Sequence, residues 1–421
     1  MKLRKYILIS LAAVGLSAAA ADPMATDFSM TQCEGSLTPY PVEVNPAVYP
    51  DSLHPVYISH VGRHGSRFPA SSANSMKLRR ALLRADSLGT ITPIGRQLAR
   101  LNDYVIERST NQWGALDSTG MAEQRSIASR MYYNFGSLFA NGSEVNASSS
   151  YSPRSMMSMY SFLHQLARMN NRINFTTSTG HVNDAEMRPF DVDPDYAQFR
   201  NDRAWAEPYD EYFSAACPTS AIRRALGERY DFTDEAEARD LAITEYYVLA
   251  GCSCMGVEPG ASRFFTKEEY NALWSCFNLR QYLQRTATTV SAVPADIAAP
   301  LLQDVIARTD AFLAGTNKAV ADLRWGHAET LMPLLSLLRL KGCYYMTNYF
   351  DTVGQHWHDF EVVPMAANIQ FILFKSDSGK YYLRVDLNEK PLPLQPNNPQ
   401  LYTPWLEARL YLTRCLPLIA R

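Results

Sequence analysis

VYISHVGRHGSRFP, residues 56–69, begins as a strand and ends as a cluster of cations. Val56 to Val61 is rich in β-branched and aromatic residues and is bounded by Pro55 and Gly62, the pattern of a buried strand. Arg63, His64 and Arg67 then crowd around Gly65, with Pro69 two residues further on. Like charges this close repel, so the cluster favours folding only when an anion sits among them. Arginine forks give bidentate, charge-assisted bonds to phosphate oxygens, each charged hydrogen bond contributing about 1.5–3 kcal/mol net. Gly65 lets the backbone bend and approach closely. The expected anion is therefore a phosphoryl group. His64 has two open roles: one more donor, or a neutral imidazole that attacks phosphorus in line to give a phosphohistidine. The flanking arginines depress its pKa and favour the neutral ring, and a backbone carbonyl on Nδ1 would aim Nε2 at the substrate. The alternative is a basic surface turn; placement at a strand end, between glycine and proline, favours a site.

Outward from this strand, helical and extended patterns alternate. Met76 to Leu88 reads as a helix, Thr92 caps another with Pro93 in its first position, and Ser118 or Thr119 starts a third carrying Met121, Ile127, Met131 and Phe135. Val145 to Tyr151 and RINFTTS, residues 172–178, read as strands. Between them Ser152-Pro153 opens a helix to about Arg168, whose Met156, Tyr160, Leu163 and Ala167 share one face. This alternation predicts an α/β fold, a mostly parallel sheet flanked by helices. From about Asp184 to Asp310, helix formers, acidic residues and aromatics dominate, which predicts an all-α insertion (184–310) between two core segments, 22–183 and 311–421. The core pattern returns with VADLRWGH, a strand, and AETLMPLLSLLRL, a helix with Pro333 placed in its first turn. IQFILFKSDSGKYYLRVDLN reads as a hairpin turning at Ser376–Gly379.

The 421 residues are 47% hydrophobic and 19% charged, an ordinary globular composition, and the net charge of −2 supplies no global field toward nucleic acid or an anionic membrane. Residues 1–21 have the form of a secretory signal: Lys2, Arg4 and Lys5, an apolar run from Tyr6 to Leu16, and small residues Ala18 to Ala21 before Asp22. That run is too short to span a bilayer with flanks, so the expectation is an exported protein, periplasmic or secreted from a bacterium, with no membrane insertion after processing. In an oxidising compartment pairing of some of the seven cysteines is one reading, the odd count leaving at least one free. Burial as small hydrophobes is the alternative.

Arg-His-Gly-x-Arg-x-Pro has five fixed positions, and average residue usage produces it by chance in roughly one chain in ten thousand of this length. With it, in order, come LDSTG…Q at Leu116–Gln124, the arginine of SPRSMMS, the stretch GHAET, and YYLRVDLNEKPLPL near the end. On these stretches the chain resembles the histidine acid phosphatases, the larger branch of the histidine phosphatase superfamily, from about Val56 to Leu394. The resemblance implies a phosphoglycerate-mutase-like α/β core with an inserted helical domain. It places the site at the carboxyl ends of the strands, between the two. It also implies a small-molecule phosphate ester as partner, with neither metal nor cofactor.

Matched residue by residue, the resemblance makes His64 the nucleophile and Arg63, Arg67 and Arg154 phosphate ligands. The position of Arg154 supports its role: with Ser152 as cap and Pro153 first, it projects from a helix N-terminus, itself an anion site. The alternative is an ordinary solvated arginine. His327 would hold a phosphoryl oxygen, and Glu329 would give a proton to the leaving alkoxide and later take one from water. Alone, His-x-Glu also reads as a capped helix start. Where much of the family has His-Asp, this chain has His327-Ala328-Glu329, which resembles the multiple inositol polyphosphate phosphatases and implies action on phytate and smaller inositol phosphates. A broad acid phosphatase on sugar phosphates or nucleotides is the alternative, and a non-catalytic phosphate-binding protein a more distant one.

A phytate pocket needs further cations, for which Arg188, Arg200, Arg203, Arg223, Arg224 and Lys318 are candidates. His356 and His358, with Asp359 or Glu361, read as a metal pair on a strand or as a polar loop, the loop favoured. His181 with Asp184 and Glu186 lines the pocket or caps a turn. His60 reads as a hydrogen-bonded core residue. Asn146 and Asn174 begin glycosylation sequons, meaningful only in a eukaryotic secretory host.

Overall fold

The computed structural model describes residues 28–41 and 47–418; the signal-like segment 1–21 lies outside the described residues. Its centre is one eight-stranded sheet: β1 (Leu53–Arg63), β2 (Glu144–Ser149), β3 (Asn174–Thr179), β4 (Ala321–Gly326), β5 (Asn368–Ser376), β6 (Tyr381–Leu387), β7 (Lys390–Leu392) and β8 (Thr403–Pro404). The order is β3-β2-β4-β1-β5-β6-β7, with β8 paired to β6. β3, β2, β4 and β1 run parallel, whereas β5 to β8 join as antiparallel neighbours. β4 is buried along its whole length, as a parallel strand covered on both faces must be. The polar run NFTTST leaves β3 largely exposed at the sheet edge. The hairpin expected at Ser376–Gly379 forms, with Gly379 at φ +83° and donating to the Ser376 carbonyl at 2.8 Å.

Alternation along the strands divides the core into two apolar layers. Ile58 of β1 and Ile372 of β5 face one way, packing with Leu323 and Trp325 of β4 against α1 (Ser118–Asn134) and α2 (Pro153–Met169) through Ile127, Met131, Met159 and Phe162. Tyr57, Val61, Ile369 and Phe371 face the other way. They meet α3 (Lys267–Arg285) through Leu279 and Leu283, and α4 (Ala328–Leu337) through Leu331, Leu334 and Leu335. Ala299–Leu313 joins this second layer. A separate helical cluster unites Ala73–Ser87 and Pro93–Ser109 with Ser220–Leu226, Glu235–Ala250 and the other side of α3. Two helices that precede residue 184 thus build this cluster together with helices that follow it.

Local details differ from the sequence reading in physical ways. Asp117, not Ser118 or Thr119, caps α1, its carboxylate accepting from Thr119 N at 2.8 Å. Ser152 occupies the N-cap of α2 without a capping bond from its hydroxyl. Pro333 lies inside α4, past its first turn, and so removes the bond its N–H would have given the Glu329 carbonyl. Of the two readings of the cysteines, pairing and burial, the structure has burial: all seven are free thiols and six are buried. Cys33, Cys217, Cys252 and Cys276 are packed as small hydrophobes in the helical cluster.

Candidate active site

Because β1, β2 and β4 are parallel, their carboxyl ends meet at one edge of the sheet. His64 N donates to Gly326 O at 3.1 Å and Ser150 N to Trp325 O at 3.0 Å, so the residues leaving the three strands stand side by side. The rings of His64 and His327 lie 5.5 Å apart.

The loop after β1 is clamped by α1. A Cβ on Gly65 would lie 2.5 Å from Gly120 O, and one on Gly120 would lie 2.2 Å from Ser66 O, so two glycines let loop and helix touch through backbone. Ser66 donates to Glu123 from both N and Oγ at 2.7 Å, and Tyr40 N donates to the same carboxylate at 2.9 Å. Gln124 donates to Arg63 O and accepts from Trp325 Nε1, both at 3.0 Å. The LDSTG…Q stretch therefore acts by holding the arginine loop in shape.

Three guanidinium groups converge on a cleft of ≈300 Å³ that is also lined by His64 and Glu329. Arg63 is anchored through Nη1 to Ser36 O and Val363 O, both at 2.6 Å, and Arg67 through Nη1 to Phe68 O at 2.9 Å. Arg154 arrives from the second residue of α2. In each of the three, Nε is buried without an acceptor among the described residues. Burial, and then the neighbouring Arg67, push Arg63 and Arg154 down to about 10; burial also lowers Arg67. Buried cations that destabilise one another's charge form the electrostatic complement of an anion with several oxygens. Tyr247, Phe277 and Gln281 of the helical side complete the wall.

His64 is buried, and its Nδ1 lies 2.9 Å from Gly65 O. A carbonyl only accepts, so Nδ1 carries the ring proton and Nε2 keeps its lone pair. Burial first, then Arg154, Arg63, Arg67 and His327, hold the ring well below the ordinary value of 6.5. A lowered pKa means the neutral form persists as the solution is acidified through the range where a free histidine takes up a proton. Activity that depends on neutral His64 is therefore expected to survive at pH 5; a pH profile falling with a midpoint at the free-imidazole value would contradict this environment.

His327 leaves β4 and its amide donates to Thr330 Oγ1 at 2.9 Å. Arg188 Nη1 and Ser150 Oγ approach its Nε2 at 2.8 and 3.0 Å, and Arg154 Nη2 lies 3.4 Å from its Nδ1, so guanidinium groups flank both ring nitrogens. Burial holds this ring at about 3. Arg188 is braced by Asp191 at 2.6 Å and stands over the rings of Tyr151 and Phe190, 4.7 and 4.9 Å from their centroids. Of the six outer cations named from sequence, Arg188 reaches the site. Arg203, Arg223 and Arg224 pair with Asp210, Glu235 and Glu269 on the helical surface, and Arg200 and Lys318 are exposed.

Glu329 opens α4 and lines the cleft, its Oε1 accepting from Arg285 Nη2 at 3.3 Å. Burial pushes this carboxyl up, but the guanidinium charges, Arg285 first and then Arg63, outweigh burial and hold it down at about 2. Arg285 ends α3, where a cation is also what the helix dipole favours, so the sequence offered a bland explanation for it. Glu123, Ser150 and Ser158 were likewise unmarked; Ser158 Oγ accepts from Gly65 N at 3.0 Å.

The remaining candidates lie elsewhere. His356 packs on Tyr345, while His358 reaches Glu361 at 3.2 Å and stacks on Phe360. His181 pairs with Asp184 at 2.8 Å at the surface. His60 is buried against Phe162 and Trp325, but its Nδ1 has no partner among the described residues, contrary to the expected hydrogen bond. Among the described residues no three His, Cys, Asp or Glu side chains converge as a metal site, and no helix is long and apolar enough to cross a membrane.

The sequence pattern of the histidine phosphatase superfamily (branch 2) matches residues 57–388. The chain belongs to that family. As a branch 2 histidine phosphatase it is a phosphatase enzyme on an α/β fold flanked by helices, as expected, but its sheet is mixed rather than mostly parallel: three pairings are parallel and four antiparallel, since β5 to β8 all join it antiparallel. It is 25% identical over 381 residues to multiple inositol polyphosphate phosphatase 1 of Homo sapiens, covering 83% of this chain and 77% of that protein. It is 24% identical over 373 residues to the Gallus gallus protein of the same name, with 84% and 80% covered. Among solved structures, Bifidobacterium longum multiple inositol polyphosphate phosphatase in complex with inositol hexasulfate matches with a TM-score of 0.74 at 18% identity, over 92% of this chain and 99% of that one. The phytase from D. castellii matches with a TM-score of 0.69 at 17% identity, over 96% and 90%.

Proposed function

We propose that this histidine phosphatase hydrolyses phosphate monoesters of inositol, phytate included, through a phosphohistidine on His64. The observation that carries the reading is an uncharged, buried His64, turned by the Gly65 carbonyl, among three arginines whose Nε groups lack acceptors. Phosphoryl oxygens bind Arg63, Arg67 and Arg154, with His327, beside Arg154, as a further ligand. Nε2 of His64 attacks phosphorus, the P–O ester bond breaks, and the leaving alkoxide takes the proton of Glu329. Glu329, now a carboxylate, takes a proton from water as the water oxygen attacks phosphorus. The P–N bond breaks, inorganic phosphate leaves, and His64 returns neutral. Glu329 is ionised in the phosphate-free cleft, so it must gain its proton as the phosphoryl charge engages the arginines.

The names of the relatives and the His327-Ala328-Glu329 sequence support inositol phosphates as substrates. A broader phosphomonoesterase is the second reading, favoured by the neutral outer wall of Tyr247, Phe277 and Gln281. A panel of phytate, lower inositol phosphates, sugar phosphates and nucleotides separates the two. The inositol reading predicts kcat/KM at least about 10-fold higher for the inositol esters, a difference of roughly 1.4 kcal/mol in transition-state binding. Equal values across the panel would establish the broad enzyme instead.

A further inference from the structure

We infer that Arg285, braced by Tyr196, is a positioning residue for Glu329, orienting its carboxylate and biasing it toward the water-activating half of the reaction. This rests on the proposed acid–base role of Glu329. Arg285 is the last residue of α3, and its guanidinium lies between two oxygens: Nη1 donates to Tyr196 Oη at 2.7 Å and Nη2 to Glu329 Oε1 at 3.3 Å. Tyr196 Oη in turn donates to Gln284 O at 3.0 Å, which fixes the tyrosine and with it the plane of the guanidinium. Arg285 is thus anchored to its own helix on one side and to the carboxylate on the other.

The other charged and titratable groups around Glu329 come from every neighbouring element. Arg63, His64 and Arg67 come from the end of β1, Arg154 from α2, and His327 from the turn after β4. Tyr196 and Asp191 face Arg285 from the segment before α3. A bound phosphoryl group takes up the charge of Arg63, Arg67 and Arg154, and His327 is neutral. Arg285, which touches Glu329 and lies outside that cradle, is the cation left to it. It favours the carboxylate, which accepts a proton from water when the P–N bond is broken. It opposes the protonated form that gives its proton to the leaving alkoxide when the P–O bond is broken.

The test is a ¹³C titration of Glu329 in phosphate-free protein, the resonance assigned by its loss in Glu329→Gln. Arg285→Gln is expected to raise the midpoint by about one pH unit, Arg285→Lys to restore most of that shift, and Tyr196→Phe, which frees the guanidinium but keeps its charge, to give a smaller rise. In turnover, Arg285→Gln should move the basic limb of kcat/KM for an alkyl phosphate upward and leave that for 4-nitrophenyl phosphate in place, because a nitrophenolate leaves without a proton. An unchanged midpoint in both Arg285→Gln and Tyr196→Phe, or equal movement of the alkyl and aryl limbs, would overturn the assignment. Failure of the wild type to hydrolyse any alkyl phosphate would instead overturn the proposed function, while the titration still decides whether Arg285 governs Glu329.

Discussion

His64→Ala is expected to lower phosphate release from every ester by at least about 10³-fold, the scale on which removal of a nucleophile acts in covalent catalysis. The reason is geometric. Nε2 of His64 is the ring nitrogen left unprotonated once Nδ1 is spent on Gly65 O at 2.9 Å, and it opens on the cleft that Arg63, Arg67 and Arg154 line. A water in the vacated space would have no base beside it except Glu329, which is committed to the leaving group. Inorganic phosphate should still bind, because the three arginines remain. The measurement is initial rate on an inositol phosphate and on an aryl phosphate, together with the dissociation constant for phosphate. Activity within tenfold of wild type in the alanine variant would remove His64 from the chemistry.

The second large effect belongs to Glu329→Gln. An amide of nearly the same shape neither gives nor takes the proton, so kcat/KM for an alkyl phosphate should fall by about 10²–10⁴-fold. For 4-nitrophenyl phosphate kcat/KM should fall by less than about tenfold, since that leaving group needs no acid. The two halves of the reaction then separate. With the aryl ester the variant phosphorylates itself normally but hydrolyses the intermediate slowly, so stopped-flow traces should show a burst of nitrophenolate near one equivalent before slow turnover. Equal losses of kcat/KM for both esters would assign Glu329 to binding rather than to proton transfer.

Much of the site was readable because its first half is contiguous. Arg63, His64, Gly65 and Arg67 fall in one turn, and residue chemistry alone brings a phosphoryl group to mind. The second half needed the fold: His327 and Glu329 carry little signal until parallel pairing of β1 with β4 brings Gly326 to the amide of His64. The groups that tune them were hidden for two reasons. Arg188 was one of several arginines in a helix-rich stretch, and only its fold position sets it 2.8 Å from His327. Arg285 ends an amphipathic helix, where a surface cation is the ordinary expectation, yet it is drawn inward between Tyr196 and Glu329. Most strand and helix patterns in the core were legible because period-2 and period-3.6 burial is local, but α2 turns Met159, Phe162 and Leu166 inward and leaves Tyr160 of the expected face exposed. The company kept by Ala73–Ser87 and Pro93–Ser109, packed in the helical cluster, is a tertiary choice that no local pattern records.

The central claim is that phosphate passes through the His64 ring, and rapid quench of turnover with a ³²P-labelled aryl phosphate tests it most directly. The Glu329→Gln variant, expected to stall after the first step, is the protein to use, quenched in base because phosphohistidine is labile in acid. The account predicts stoichiometric label on the peptide containing His64, absent from His64→Ala. Burst release of the phenolate with no protein-bound label, or label on any other residue, would contradict it.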